Sequence, residues 1–296
     1  WLRYWAPVEA ALAGRKKVYV SPDGVYSQIN LNTLKKPGGG PLIDQYEFRL
    51  IGNPRDVLHQ EAETAADTRK ATLVGAPVFS SDKIPALPAT KTEVDDISGQ
   101  LQRAGYAVTT FTGKDANENN LLASSHTTIL HIATHGYFLK DVDHPNFPLG
   151  VSADHARDNV LLRSGILLTG ARESSENNAE LGNDNNGVVT SFEAMNLDLQ
   201  GTSLVVLSAC ETGLGEIRAG EGVYGLQRAF LAAGADAVIM SLWKVDDAAT
   251  QQLMMNFYTN WTKGTDKQKA FRLAQQQLMT KYKDPYFWGA FVMMQD

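Results

Sequence analysis

The fold is decided by two stretches of the same form, Ser203-Leu-Val-Val-Leu-Ser-Ala-Cys-Glu-Thr-Gly213 and Thr127-Thr-Ile-Leu-His-Ile-Ala-Thr-His-Gly136. Each stretch is a nearly continuous apolar run that ends in polar residues and a glycine. Runs of this length without polar alternation are typical of strands that are buried on both faces of a parallel sheet. We therefore predict strands over 127–133 and 203–209.

Strand and helix patterns alternate around these two runs. The remaining predicted strands lie over 71–76, 107–111 and 237–242, and the predicted helices over 92–104, 116–124, 222–233, 248–263 and 267–282. Alternation of this kind is typical of a doubly wound α/β fold, with a mainly parallel sheet and helices on both faces.

The first 70 residues follow a different pattern. We predict a short helix over 2–13 and a β-hairpin over 17–31, because Pro22-Asp-Gly24 is a turn sequence between two apolar-rich runs. A strand over 46–51 and a helix over 55–70 follow. The sequence thus divides into an N-terminal region, 1–70, and a core, 71–296.

The composition is that of a globular protein. Of the 296 residues, 43% are hydrophobic and 20% charged, which supplies enough apolar material for a sizeable core. The 27 Lys and Arg are outnumbered by 33 Asp and Glu, giving a net charge of −6. Because nucleic-acid-binding proteins usually carry a basic face, we expect no direct nucleic acid binding.

The cysteine count, the apolar runs and the amino end exclude or disfavour several kinds of structural site and targeting segment. Cys210 is the single cysteine, so an internal disulfide is impossible and a cysteine-ligated structural zinc is disfavoured. Since no apolar run reaches the roughly 18 residues of a membrane helix, no membrane span is expected. The chain starts at Trp1 with charges among its first residues and no signal-peptide pattern. We expect a domain of a longer, cytoplasmic protein.

Reactive side chains follow both decisive strands. In doubly wound sheets, ligands bind beyond the carboxyl ends of the strands. If the two strands are neighbours, His135 and Cys210 lie side by side there, and the imidazole can take the proton of the thiol. The N–H groups of Gly136 and Cys210 are the candidates for stabilising an oxyanion. The alternative is that Cys210 is a small buried hydrophobic residue, as free cysteines often are.

Two other motifs have weaker functional interpretations. His131 and His135 have the spacing of a zinc-binding pair, but Ile132 stands where zincins have Glu, and the segment is a predicted strand. We interpret His131 as a buried residue hydrogen-bonded to its neighbours and expect no metal. Gly220-Glu-Gly-Val-Tyr-Gly225 has the residue pattern of a dinucleotide-binding fingerprint. That motif directly follows a strand, and this segment does not, so we expect no cofactor there.

Several motifs in order resemble the CHAT family of caspase-like domains. They are His131–Gly136, Leu204–Gly213, Gly220–Phe230, Ala233–Ala235, Ser241–Asp247 and Asp284–Phe291, with Trp5–Pro7 and Val20–Gly24 at the amino end. The resemblance implies a caspase/separase-like fold and a cysteine endopeptidase activity that needs no cofactor and no metal. It implies His135 and Cys210 as the catalytic dyad. Bacterial family members commonly carry tetratricopeptide repeats upstream, which implies such a region or another regulatory partner here.

The resemblance also implies a substrate preference. Ser241-Leu-Trp-Lys-Val-Asp-Asp247 is similar to the separase segment that supplies an acidic group for a basic side chain before the cleaved bond. Asp247 fits that position best and Asp246 second. A carboxylate selects Arg through charge-assisted hydrogen bonds. The alternative is that one of the two caps the helix that follows.

One polar segment interrupts the alternation of strands and helices. Residues 172–187 are rich in Asn and acidic side chains, which indicates either a solvated surface insertion or a loop that is cut or reordered on activation. Arg172 in this loop and Arg218 in the loop over 213–222 are candidate self-cleavage sites. The alternative function is a latent, protease-like regulatory scaffold.

Overall fold

The structure, a computed structural model, describes residues 1–58, 69–138, 159–171, 186–211, 221–244 and 246–295. These residues form one large and one small β-sheet, with helices on both faces of the large sheet. This arrangement confirms the predicted doubly wound α/β class. None of the helices within the described ranges is long and apolar enough to cross a membrane.

The large sheet has eight strands, in the spatial order β1-β2-β12-β11-β9-β5-β3-β4. Their bounds are β1 (Lys17–Val20), β2 (Glu47–Ile51), β3 (Lys70–Pro77), β4 (Ala107–Gly113), β5 (Ile129–Ala133), β9 (Leu204–Leu207), β11 (Ala237–Ser241) and β12 (Phe291–Gln295). Strands β11 and β12 pair antiparallel, and the other neighbours in this order pair parallel.

The small sheet continues from the middle of the large one. Its order is β10-β6-β7-β8, from the strands β6 (His135–Phe138), β7 (Ser164–Leu167), β8 (Val188–Thr190) and β10 (Cys210–Glu211). Strand β6 follows β5 after a single residue, Thr134, and β10 follows β9 after Ser208 and Ala209. Two neighbouring strands of the large sheet therefore pass together into the small sheet.

The helices connect the strands and cover the sheet. Their bounds are α1 (Ala6–Glu9), α2 (Pro88–Arg103), α3 (Glu118–Leu122), α4 (Ser191–Ala194), α5 (Glu221–Ala232), α6 (Asp247–Trp261), α7 (Lys267–Lys281) and α8 (Pro285–Trp288). The long helices agree with the predicted ranges within a few residues at either end. This agreement is expected, because an amphipathic period of 3.6 residues persists over several turns.

Side chains alternate between two hydrophobic cores, one on each face of the large sheet. In β5, Ile129 and Ala133 join the core under α2, α6 and α7, whereas Leu130 and Ile132 join the core under α5. All five residues of β5 are buried. Burial on both faces explains why the central strands are continuously apolar in sequence.

The predicted N-terminal hairpin is wrong. Strand β1 pairs in parallel with β2, with Lys17 opposite Glu47, and the chain after the turn forms a 3₁₀-helix, Gly24–Gln28. The Asp23 carboxylate accepts the Gly24 N–H at 2.7 Å and caps this helix. Aromatic and aliphatic side chains of 26–34 pack around Trp5 in a separate N-terminal core instead of forming a second strand.

The first predicted N-terminal helix is shorter than expected, and most of the second lies outside the described residues. The first consists of α1 and a 3₁₀ turn, Ala10–Leu12, and it ends where Ala13 takes a positive φ of 48°. Of the second, predicted over 55–70, the structure describes a 3₁₀ turn, Pro54–Leu58, and Lys70 already begins β3. Residues 59–68 lie outside the described residues. The division of the chain at residue 70 stays a prediction.

Helix α2 lies unusually close to β3, and Gly75 makes this approach possible. A Cβ atom on Gly75 would lie 2.6 Å from Val94 Cγ2 and 3.1 Å from the Thr90 carbonyl oxygen. Val94 is fully buried, so its stiff, β-branched side chain has little room to yield. The glycine thus sets the position of the amino-terminal half of α2.

We predict that Gly75→Ala lowers the free energy of unfolding by about 1–3 kcal/mol, the usual cost of overpacking a core. Urea denaturation of both proteins measures the difference. Gly39→Ala is the matched control, because its Cβ would meet nothing closer than Lys36 Cβ at 3.5 Å. Equal stability of the Gly75 and Gly39 variants would contradict this account of helix α2.

Candidate active site

His135 and Cys210 occupy paired positions on neighbouring parallel strands. In the large sheet Ile129 lies opposite Leu204 and Ile132 opposite Leu207; in the small sheet His135 lies opposite Cys210. The register is the same in both sheets, with no residue gained or lost between them. Because paired parallel strands are about 4.8 Å apart, the two backbones are adjacent. For Cys210 the structure describes the backbone position.

Side chains and amides fix the strand ends where the two sheets meet. The Ser208 N–H donates to the Ile132 carbonyl at 2.9 Å, and the Ser241 hydroxyl donates to the Ala209 carbonyl at 3.0 Å. On the other strand, the Thr134 hydroxyl donates to the Leu167 carbonyl. These bonds hold the residues immediately before His135 and Cys210 on both strands.

The imidazole of His135 is held in one tautomer. The ring is buried, with 4% exposure, and Nε2 lies 2.7 Å from the Pro85 carbonyl oxygen. Because a carbonyl oxygen can only accept, Nε2 carries a proton, and in the neutral ring Nδ1 is then the basic nitrogen. Nδ1 is buried and has no hydrogen-bond partner among the described residues. A nitrogen in this state can accept a proton from a group that approaches it.

Four effects, two of each sign, act on the pKa of His135. Burial lowers it from its ordinary value of 6.5 and is the largest effect. The hydrogen bond to the Pro85 carbonyl and the negative charge of Asp247 raise it, whereas the charge of Lys244 lowers it. The Phe79 ring, 5.3 Å from the imidazole between centroids, adds to the apolar surroundings. The net lowering favours the neutral, basic imidazole at pH 7.

The two aspartates that begin helix α6 have different roles. The Asp246 carboxylate accepts the Ala249 N–H at 2.9 Å and is the helix cap. Asp247 is the first helical residue, is exposed, and is near enough to His135 to raise its pKa. The capping alternative thus applies to Asp246, whereas the charge of Asp247 acts on the His135 imidazole.

Gly136 leaves space next to the candidate dyad. A Cβ atom there would meet Ala209 Cβ at 3.6 Å and the Gly165 carbonyl oxygen at 3.7 Å, both ordinary contacts. Packing against the described residues therefore does not require a glycine at this position. The assignment of the Gly136 and Cys210 amides to an oxyanion hole stays a prediction.

The other sequence motifs have structural explanations. His131 is fully buried and hydrogen-bonded to two helices. Gly225 lies inside α5, where a Cβ would come within 3.0 Å of Ser164 Oγ, so this glycine permits close packing on β7. Within the described ranges no group of three or more His, Cys, Asp or Glu could hold a metal ion.

The polar segment is described only at its two ends. The Leu168 N–H donates to the Gly187 carbonyl at 2.7 Å, and a Cβ on Gly187 would clash with the Ala171 backbone. The chain therefore leaves and re-enters the small sheet at adjacent points. Residues 172–185 and 212–220, with Arg172 and Arg218, lie outside the described residues, so their cleavage stays a prediction.

The contacts of Pro85 and Phe79 with His135 were not predicted from the sequence. Both contact His135 across about 50 positions of the chain, and no local pattern marks them. The only related signal is that a proline-rich stretch, Pro85-Ala-Leu-Pro88, precedes helix α2, where proline suits the first turn.

We predict that His135 titrates below 6.5 and that its two charged neighbours shift this pKa in opposite directions. Asp247→Asn should lower the pKa further, because the lost carboxylate favoured the imidazolium; Lys244→Gln should raise it. Histidine-labelled protein titrated by NMR measures both shifts, with His135→Gln to assign the resonance among the six histidines. A higher pKa of His135 in Asp247→Asn would contradict the effect assigned to the Asp247 charge.

A CHAT domain family model matches residues 1–296. Tetratricopeptide repeat protein 28 from Homo sapiens and from Mus musculus is 31% and 30% identical to the chain over 109 residues. Each alignment covers 36% of this chain and 4% of the relative. The chain thus corresponds to a small part of the curated relatives that it matches.

Two solved structures share the fold. The Arg specific cysteine proteinase gingipain R superposes with a TM-score of 0.54 at 11% identity, covering 95% of this chain and 63% of that chain. The complex of Porphyromonas gingivalis RgpB pro- and mature domains gives 0.53 at 11% identity, covering 95% and 64%. This likeness supports a caspase-like α/β fold. With the family model spanning all 296 residues, the chain belongs to the CHAT domain family.

Proposed function

We propose that this protein is a cysteine endopeptidase that uses Cys210 as nucleophile and His135 as general base and acid. One observation carries the proposal: the two residues are register partners at the carboxyl ends of β5 and β9. The hydrogen bond from Nε2 to Pro85 adds support, because it leaves Nδ1 to exchange protons with the thiol. The fold is also that of a known cysteine proteinase.

The reaction we propose is acyl transfer in two stages. His135 Nδ1 takes the thiol proton, the sulfur of Cys210 bonds to the scissile carbonyl carbon, and the Gly136 and Cys210 amides stabilise the oxyanion. The imidazolium then protonates the departing amine as the carbon–nitrogen bond breaks. In the second stage, water gives a proton to His135 and its oxygen displaces the sulfur, releasing the acid and regenerating the thiol.

We further propose that Asp247 selects a basic side chain, Arg or Lys, before the cleaved bond. Its exposed carboxylate lies near His135, while the neighbouring Asp246 is occupied as the helix cap. A carboxylate binds a guanidinium through two charge-assisted hydrogen bonds, which an uncharged side chain cannot form. Asp246 remains the second candidate until the two residues are separated by mutation.

The proposal also includes a region or partner that regulates this domain. The CHAT family and the tetratricopeptide-repeat relatives fit an arrangement in which a repeat region accompanies this domain. We propose that such a region, or a partner protein, regulates access of the protein substrate to the dyad. A cytoplasmic location and a bacterial origin are part of the same proposal.

We predict that cleavage of peptides depends on Cys210. A fluorogenic library with Arg, Lys, Asp or Leu before the scissile bond should be cleaved by the wild type, fastest after Arg, and not by Cys210→Ala. Turnover that persists in Cys210→Ala would refute the dyad. Binding without turnover, with any candidate activator added, would favour the regulatory scaffold instead.

We predict that mutation distinguishes the roles of Asp246 and Asp247 in substrate selection. Asp247→Asn should lower kcat/KM for Arg peptides on the order of tenfold to a hundredfold, the effect of losing a charged hydrogen-bonded pair. Asp246→Asn is the matched control, because Asn caps helices as well as Asp does and should leave the preference intact. The reverse result would assign the selecting role to Asp246.

A further inference from the structure

A buried chain of hydrogen bonds is centred on His131 of β5, the strand that precedes His135 in the chain. His131 Nε2 is 3.1 Å from Glu93 Oε1, and His131 Nδ1 is 3.2 Å from the Tyr258 hydroxyl. His131 and Tyr258 are fully buried, and Glu93 is 5% exposed. The surrounding side chains form the apolar core under α2 and α6. Polar groups at such a position cost desolvation energy unless all are satisfied.

The protons in this chain can be assigned from the chemistry of its members. Burial, with the negative charge of Glu93, raises the pKa of Tyr258 well above its ordinary value of 10. The hydroxyl therefore keeps its proton and can donate to His131 Nδ1, in which case Nε2 carries the ring proton and donates to Glu93 Oε1. Each partner then has a matching donor or acceptor.

The three residues belong to three different elements, each of which is close along the chain to a group near His135. His131 lies on β5, which ends two residues before His135. Glu93 lies on α2, which begins three residues after Pro85, and Tyr258 lies on α6, which begins at Asp247. The network thus connects the elements that present the imidazole, its carbonyl partner and the nearby carboxylate.

A second set of bonds fixes the start of helix α2. Thr90, one helical turn before Glu93, accepts the Ala76 N–H at 2.9 Å through its hydroxyl. The same hydroxyl donates to the Leu87 carbonyl at 2.7 Å. These bonds hold the start of α2, and Leu87 two residues after Pro85, against β3.

We propose that Glu93, His131 and Tyr258 are positioning residues that set the tautomer and orientation of His135. The proposal rests on the proposed endopeptidase function. By fixing α2 and α6 against β5, the network keeps the Pro85 carbonyl on Nε2 and so keeps Nδ1 as the base for Cys210. An apolar trio of similar volume could stabilise the fold equally well, so fold stability alone does not require this polar network.

The experiment uses the reactivity of the single cysteine, with peptide turnover as a second readout. Cys210 alkylation by iodoacetamide is followed across pH in the wild type, His135→Ala, Glu93→Gln and Tyr258→Phe. The control, Gln100→Met, removes the bond from Gln100 to Thr259 that also joins α2 to α6, without touching β5. Histidine ¹⁵N shifts report the tautomer of His135 in each variant.

In Glu93→Gln and Tyr258→Phe we expect alkylation near pH 6.5 to fall on the order of tenfold, because a displaced imidazole no longer favours the thiolate. The value of kcat should fall by a similar factor, with KM within about twofold, and the His135 shifts should indicate mixed tautomers. Gln100→Met should match the wild type in all three measurements. If the network only stabilises the fold, Glu93→Gln and Tyr258→Phe would lower the melting temperature and leave these three readouts unchanged.

The outcomes separate the two proposals. If alkylation of the wild type and of His135→Ala has the same pH profile, the dyad itself is refuted and the positioning role with it. If His135 controls the profile while Glu93→Gln and Tyr258→Phe behave like Gln100→Met, the positioning proposal alone is refuted. Should Glu93→Gln fail to fold, Tyr258→Phe, which lacks a single oxygen atom, decides the result.

Discussion

The hydrogen-bonded register between β5 and β9 is the constraint on which the rest of the site depends. The same pairing that sets Ile129 opposite Leu204 sets His135 opposite Cys210 after the strands leave the large sheet. Because side chains alternate along a strand, a slip of one residue would turn every side chain of β5 to the other face. Core packing and the juxtaposition of the two reactive residues are therefore fixed together.

The two cores make this register robust. Each central strand contributes alternate side chains to opposite faces of the sheet, and burial of one aliphatic side chain contributes about 1.5–3 kcal/mol. A slipped register would exchange Ile129 for Leu130 against α2 and would move His131 away from Glu93. The small sheet, with two residues of β10 paired to β6, inherits its alignment from the large one.

The surroundings of His135 combine an apolar environment with a few directed polar groups. Burial lowers its pKa, and the Pro85 carbonyl and the Asp247 charge oppose that effect. The ring stays neutral and basic at pH 7, yet a positive charge that develops on it is partly compensated. Such a balance suits a group that must take up a proton and then release it.

The sequence by itself determined the central strands, the long helices and the two reactive strand ends, because these depend on periodicity and on the direction of parallel strands. His131 was also interpreted from its place in an apolar run as a hydrogen-bonded core residue, and the structure confirms this. In the N-terminal region the local signal misled: a turn sequence predicted a hairpin, whereas β1 found its partner in β2, beyond a loop.

Only the tertiary structure decided which groups surround the imidazole and which aspartate caps helix α6. Pro85 and Phe79 reach His135 across long separations in the chain, and the positions of Asp246 and Asp247 differ by a single residue. Capping and carbonyl contacts depend on how the helices pack on the sheet. Side-chain volumes determine that packing, as at Gly75, where the lack of a Cβ allows α2 to approach β3 closely. Local sequence patterns specify the elements, and packing between them specifies the site.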